Sequence, residues 1–173
     1  KPHSLMEHLK HAWGAWSKDD DALISMVLPQ ANGKNGSFKG TADAVYQNLD
    51  LLERHRPDLV AVFAADHVYR MDVRQMIEFH EALEAEVTVA AVPVPIETAS
   101  AMPTNPARAL ASMGNYLFTP RALVELLEQA SCRGDTDFGQ HILPRLPGAC
   151  RAFAYDFSGN SVPGTKPYEE RGY

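Results

Sequence analysis

An aspartate stands directly behind the seven apolar residues Leu59-Val60-Ala61-Val62-Phe63-Ala64-Ala65. It is Asp66, the residue best placed for chemistry in this 173-residue chain. In open α/β sheets, ligands bind beyond the carboxyl ends of the strands. A carboxylate there can hold Mg2+ against a phosphate, because Mg2+ takes one or two carboxylates and completes its shell with phosphate oxygens. The same residue can instead cap the turn Asp66-His67-Val68-Tyr69. The Gly40-Thr41 junction is the second candidate. Glycine lets a ligand approach the backbone, and a helix start behind it offers unpaired N–H groups to an acceptor. A loop that ends in glycine before a capped helix also occurs with no ligand.

Other reactive residues form no such constellation. His8 and His11 would share a helical face, but no carboxylate or third histidine joins them at ligand spacing. They read as surface histidines. Asp19-Asp20-Asp21 reads as a solvated turn, since nothing nearby completes a coordination loop. Cys132 and Cys150 lack paired spacing for a metal or a disulfide framework, and read as inert thiols in a reducing cytoplasm. No Walker loop, G-x-G-x-x-G or G-x-S-x-G occurs, so P-loop, Rossmann dehydrogenase and serine hydrolase chemistry lack an anchor. Sixteen Lys and Arg against 22 Asp and Glu leave a net charge of -6, and the densest basic stretch is Arg54-His55-Arg56. Nucleic-acid surfaces need clustered positive charge, so no such partner is expected. No run of about 18 apolar residues is present, so no membrane-spanning helix is expected either.

The elements that position these candidates follow from hydrophobic periodicity. Leu5, Met6, Leu9, Ala12, Trp13 and Trp16 form one stripe of an amphipathic helix, and Ala22 to Leu28 suits a short strand stopped by Pro29. Thr41 is expected to cap a helix whose stripe is Ala42, Val45, Leu49 and Leu52, ending before Pro57. The run from Leu59 to Ala65 does not alternate, as expected of a strand covered on both faces. Asp72 caps a helix that turns Val73, Met76, Ile77, His80 and Leu83 inward. Further strands are expected over Val87 to Val94, Leu110 to Phe118 and Arg151 to Phe157. Thr119-Pro120 starts one helix, and Phe138 to Leu146 forms another. Strands alternating with helices predict an α/β fold of three layers with a mostly parallel sheet.

Several strings together resemble one family. Gly40-Thr41-Ala42-Asp43-Ala44-Val45 is similar to the signature of the ADP-glucose pyrophosphorylases, the glucose-1-phosphate adenylyltransferases of glycogen and starch synthesis. His3 through Trp13, Asp66-His67-Val68-Tyr69 with Met71-Asp72, and Pro93-Val94-Pro95-Ile96-Glu97 resemble that family too. So do Ala111-Ser112-Met113-Gly114 with Tyr116 and Phe118, and Asp137-Phe138-Gly139 with Ile142 and Pro144. The resemblance follows family order along nearly the whole chain. It implies a Rossmann-like sheet of the sugar-phosphate nucleotidyltransferase type, cytoplasmic, turning ATP and glucose 1-phosphate into ADP-glucose and diphosphate with Mg2+. A homotetramer answering to small-molecule allosteric effectors is implied with it. Asp66 would be the metal carboxylate, Gly40 would lie against the adenine, and Thr41 would start the helix below it. Phe38, Ser112, Tyr116, Asp137 and Phe138 would line the glucose 1-phosphate pocket. The residue types also allow plainer roles: Phe38 and Phe138 as core aromatics, Ser112 as a strand hydroxyl, Asp137 as an N-cap.

The chain departs from the family in ways that suggest the central part of a catalytic domain. The family's glycine-rich phosphate loop would precede Lys1, and its C-terminal β-helix domain and second metal aspartate would follow Tyr173. Where the family continues after Ser100-Ala101 through a strand and an E-K-P string, Ala101 runs straight into Met102. Omitted residues are the expectation at that junction, with a Cα separation above the roughly 3.8 Å of one peptide bond. Ala65 replaces the family's glycine before the metal aspartate. A relative using another sugar phosphate or nucleotide, or a noncatalytic nucleotide-binding subunit, would share the fold.

Overall fold

The computed structural model describes residues 4, 7, 8, 11, 27, 37–66, 68–95, 101, 102 and 105–164, with the backbone alone at 101, 102 and 105–108. The chain divides into two units, Lys1–Phe38 and Lys39–Tyr173. In the first, Ser4, Glu7, His8 and His11 are helical and exposed. Those spacings of three and four make the solvent side of the expected helix, and both histidines lie on it. The apolar stripe, the acidic turn at 19–21 and the strand expected over 22–28 lie outside the described residues, apart from Val27.

The second unit carries the sheet. Strands β1 (Val60–Phe63), β2 (Val87–Pro95), β3 (Ala101–Met102), β4 (Asn105–Phe118) and β5 (Ala152–Asp156) assemble in the order β1-β4-β2-β5, with β3 paired to β4. β1, β2 and β5 run in one direction and β4 runs against them. The sheet is therefore mixed: most of its strands share one direction, as expected, and β4 is the exception. Only residues 103 and 104 separate β3 from β4, a link of hairpin length, so β4 runs against β3. Ala101 and Met102 form β3, opposite Ala109 and Asn105. Pro93 and Pro95 both lie within β2. They lie beyond the reach of β5, whose pairing stops at Ala91, so their missing N–H groups cost no hydrogen bond to it.

Helices cover both faces. α1 (Thr41–Tyr46) and α4 (Pro120–Arg133) bury Ala42, Leu123, Leu127 and Ala130 against Val87, Tyr116 and Phe118, and α2 (Asp50–His55) packs the half-buried Leu52 against the same core. On the opposite face α3 (Val73–Ala82) packs Met76 against Ala90, Met113, Leu117 and Tyr155. Alternate residues of β2 and β4 thus serve opposite cores, as a three-layer α/β arrangement demands. β1 differs from its expectation: Val60 and Val62 are half-buried, whereas Ala61 and Phe63 are exposed. Only the side that meets α1 and α2 is packed.

The local signals for helix starts held at Asp72 and Thr119 and failed at Thr41. Asp72 Oδ1 accepts from the Arg74 N–H, and Thr119 Oγ1 accepts from the Ala122 N–H with Pro120 at the first helical position. Thr41, however, is not a cap. Gly40 occupies the N-cap position and Thr41 is the first helical residue, its hydroxyl engaged elsewhere. The helix expected over 41–56 is also broken in two. Asn48 Nδ2 donates to the Ala44 carbonyl, and the Asn48 N–H is diverted to Val45. Such a side chain competes with the backbone for the helical acceptor and tightens the turn.

Candidate functional site

β1 delivers Ala64, Ala65 and Asp66 beyond its carboxyl end, and β4 holds that end in place through an irregularity. Between the pairs Val89–Tyr116 and Ala91–Ser112, β2 advances by two residues and β4 by four. The surplus is a bulge at Met113-Gly114-Asn115. Gly114 sits in it with φ +75°, and its carbonyl accepts from the Ala64 N–H at 3.0 Å, carrying the β1–β4 pairing past Phe63. A Cβ on Gly114 would meet the Ala64 Cβ at 2.8 Å, so glycine answers both the backbone angle and the close approach. Four residues along a straight strand span about 13 Å. The bulge instead brings the Ser112 and Tyr116 hydroxyls to 3.3 Å.

Those hydroxyls form an ordered pair. Ser112 Oγ accepts from the Gly114 N–H and donates to Tyr116 Oη, leaving the phenolic proton uncommitted. Burial pushes the Tyr116 pKa up, the Ser112 hydrogen bond opposes that shift, and the Asp137 charge adds to it. The phenol is therefore a neutral donor at neutral pH. Its ring lies 5.5 Å from that of Phe138, which is fully buried among the core aromatics.

The last contributor is the turn Asp137-Phe138-Gly139. Asp137 caps the short helical turn Phe138–Ile142, its Oδ1 accepting from the Gln140 N–H at 2.9 Å. Its Oδ2 accepts from the Thr41 hydroxyl at 3.0 Å, and Thr41 Oγ1 accepts in turn from the Phe138 N–H at 3.1 Å. His141 Nδ1 accepts from the N–H groups of Thr136 and Asp137. The start of α1 is used up in the same joint: the N–H groups of Ala42 and Asp43 both donate to the Thr136 carbonyl. Two of the N–H groups expected to await a ligand are thus satisfied by protein. A Cβ on Gly40 would run into that same carbonyl, so the close approach made possible by Gly40 is to Thr136.

A cleft of about 740 Å3 results, lined among others by Thr41, Asp66, Ser112, Tyr116, Asp137 and Phe138. Sequence candidates from four separate stretches of chain meet in it. Gly40 does not line it, and Phe38 is the last residue of the first unit. Gly114 and the bulge were not singled out from the sequence as a site feature, although a glycine inside a strand pattern is a bulge signal. Behind the cleft, Tyr69 Oη donates to Asn115 Oδ1 at 3.2 Å and ties the segment after Asp66 to the bulge. Asn115 Nδ2 is buried without a partner.

The charge in the cleft is one-sided. Among the described residues, Asp66 and Asp137 line it and no lysine or arginine does, so a phosphate group entering it meets like charge there. A hard cation between carboxylate and phosphate removes that conflict, and the exposed Asp66 has the oxygen donors that Mg2+ takes. Among the described residues, no group of three or more His, Cys, Asp or Glu could cage a metal alone. The donor set fits a cation shared with the substrate.

Residues 2–102 match the nucleotidyl transferase family. The chain belongs to that family. This nucleotidyl transferase is 43% identical to the glucose-1-phosphate adenylyltransferase of Thermodesulfovibrio yellowstonii over 198 aligned residues, covering all of the chain and 48% of the relative. It is 38% identical to the enzyme of that name from Geobacter metallireducens, with the same coverage. The Thermus thermophilus enzyme of that name is 39% identical, over 95% of the chain and 47% of the relative. The chain spans about half the length of the curated relatives it matches. Among its described residues, no helix is long and apolar enough to cross a membrane.

Proposed function

We propose that this nucleotidyl transferase is a glucose-1-phosphate adenylyltransferase, joining ATP and α-D-glucose 1-phosphate into ADP-glucose with release of diphosphate. A phosphate oxygen of the sugar phosphate attacks the α-phosphorus of ATP, and the bond from that phosphorus to the departing diphosphate breaks. Such transfer needs positioning and charge neutralisation and no covalent protein nucleophile. The observation that supports the reading is the meeting of Asp66, Ser112, Tyr116 and Asp137 in one cleft at the carboxyl end of β1. The relatives' common name supplies the substrates.

In this reading Asp66 holds Mg2+, which when bound neutralises charge on the phosphates. The Tyr116 phenol donates and Asp137 accepts, so together they orient the hydroxyls of the sugar. Gly40 belongs to the nucleotide side, and Thr41 starts the helix below it. A homotetramer regulated by small-molecule effectors completes the reading, and sedimentation together with an effector screen tests it.

Asp66→Asn is the decisive variant. It keeps the side chain's shape but removes the charge. In the complete enzyme, kcat should fall at least about a hundredfold, the scale of one lost electrostatic contact in a transition state. The melting temperature should stay near that of the parent, because Asn caps about as well as Asp. Unchanged kcat at saturating Mg2+ would remove the metal role. A panel of sugar phosphates and nucleoside triphosphates tests the substrate assignment in the same assay.

A further inference from the structure

The Gly40-Thr41 string does something in this fold that its place in the nucleotide half does not suggest. Four hydrogen bonds join it to a segment nearly a hundred residues away. Ala42 and Asp43 donate to the Thr136 carbonyl at 2.9 and 3.2 Å, Thr41 donates to Asp137 Oδ2 at 3.0 Å, and Phe138 donates to Thr41 Oγ1 at 3.1 Å. Gly40 completes the joint, since any Cβ there would strike Thr136.

We infer that Thr41 is a positioning residue for the sugar-phosphate side of the cleft, setting the Asp137 carboxylate and the Phe138 turn. The inference rests on the adenylyltransferase reading above. A threonine hydroxyl has one proton, and here it goes to the carboxylate while the oxygen takes an amide proton. The direction of both bonds is thereby set. With Gln140 on Oδ1 and Thr41 on Oδ2, each oxygen of Asp137 has one protein donor. A carboxylate offers about four lone-pair sites, so two remain to accept sugar hydroxyls from a carboxylate that cannot swing. Hydrogen bonds to charged groups are the stronger ones, and losing this one frees Asp137 to rotate.

Thr41 is otherwise solvent-exposed, so Thr41→Val should fold. Thr41→Ala provides a second variant without the β-branch. In steady-state kinetics on the complete enzyme, both should raise the KM for glucose 1-phosphate about tenfold or more and leave the KM for ATP within about twofold, the size of one lost charge-assisted bond. Thr41→Ser should restore the parent values. Amide exchange in the ligand-free protein gives an activity-independent readout. The Phe138 N–H should exchange faster in Thr41→Val and Thr41→Ala, and at the parent rate in Thr41→Ser. A KM for ATP that rises as much as that for the sugar phosphate would overturn the inference, as would an unchanged Phe138 exchange rate. A parent enzyme that does not turn over this substrate pair would overturn the adenylyltransferase reading and the inference with it. Turnover with unsplit KM values would overturn the inference alone.

Discussion

With φ at +75°, Gly114 occupies a backbone region that costs other residues about 1–2 kcal/mol. A Cβ there would also stand 2.8 Å from the Ala64 Cβ. Both terms act on the same joint, where β4 bulges and β1 hands over to Asp66. Gly114→Ala is expected to lower the unfolding free energy by about 2 kcal/mol or more, read from urea melts. It should also lower activity beyond what the melt explains, because the Ser112–Tyr116 pair depends on the bulge. Normal activity in a destabilised Gly114→Ala protein would show that the bulge serves stability alone. Tyr116→Phe makes the complementary change, removing the uncommitted phenolic proton and leaving the buried ring with Phe118 and Phe138. The KM for the sugar phosphate should rise with little change in melting temperature.

At the scale of elements, α3 is held to β2 partly through His80. The imidazole is 4% exposed, its Nδ1 lies 2.8 Å from Thr88 Oγ1, and burial holds its pKa below the ordinary histidine value despite the Glu81 charge. A depressed folded-state pKa means the unfolded chain binds the proton first. The stability this group contributes is therefore complete above about pH 6.5 and is lost as pH falls through the lower folded value. Comparing the parent with His80→Gln by urea melts from pH 7.5 to 5, the stability difference should shrink toward acid. A difference independent of pH would show that His80 acts by packing alone. α4 gives a simpler expectation. Leu127 is 1% exposed in the core that Tyr116 and Phe138 share, so Leu127→Ala should cost about 2–5 kcal/mol.

At the scale of the whole molecule, a net charge of -6 sets the long-range field. Among the described residues, the cleft carries two of the carboxylates behind that field and no basic side chain. Binding to nucleic acid releases counterions only where cations cluster, so fluorescence anisotropy with a labelled oligonucleotide should show no association at physiological salt. Binding of ATP, by contrast, should depend on Mg2+: titration calorimetry with and without a chelator should show affinity falling when the metal is removed.

How much of this was legible in advance depended on the range of the interaction. The apolar run ending at Asp66, the caps at Asp72 and Thr119, and the strand–helix alternation were readable because they arise between residues a few positions apart, where side-chain period and hydrogen-bonding reach act directly. Thr41 misled because its local context suits a cap, whereas its hydroxyl bonds Asp137, 96 residues away. β4 was readable as a strand but not as a reversed one, since direction depends on which neighbours it pairs with. The Ser112–Tyr116 pair depends on a register shift that periodicity does not encode. The sequence by itself determined where the main strands and helices fall and that Asp66 follows the apolar run of β1. Only the tertiary structure decided which distant segments meet at the cleft, because strand order, register and the bulge at Gly114 are set by packing across the sheet.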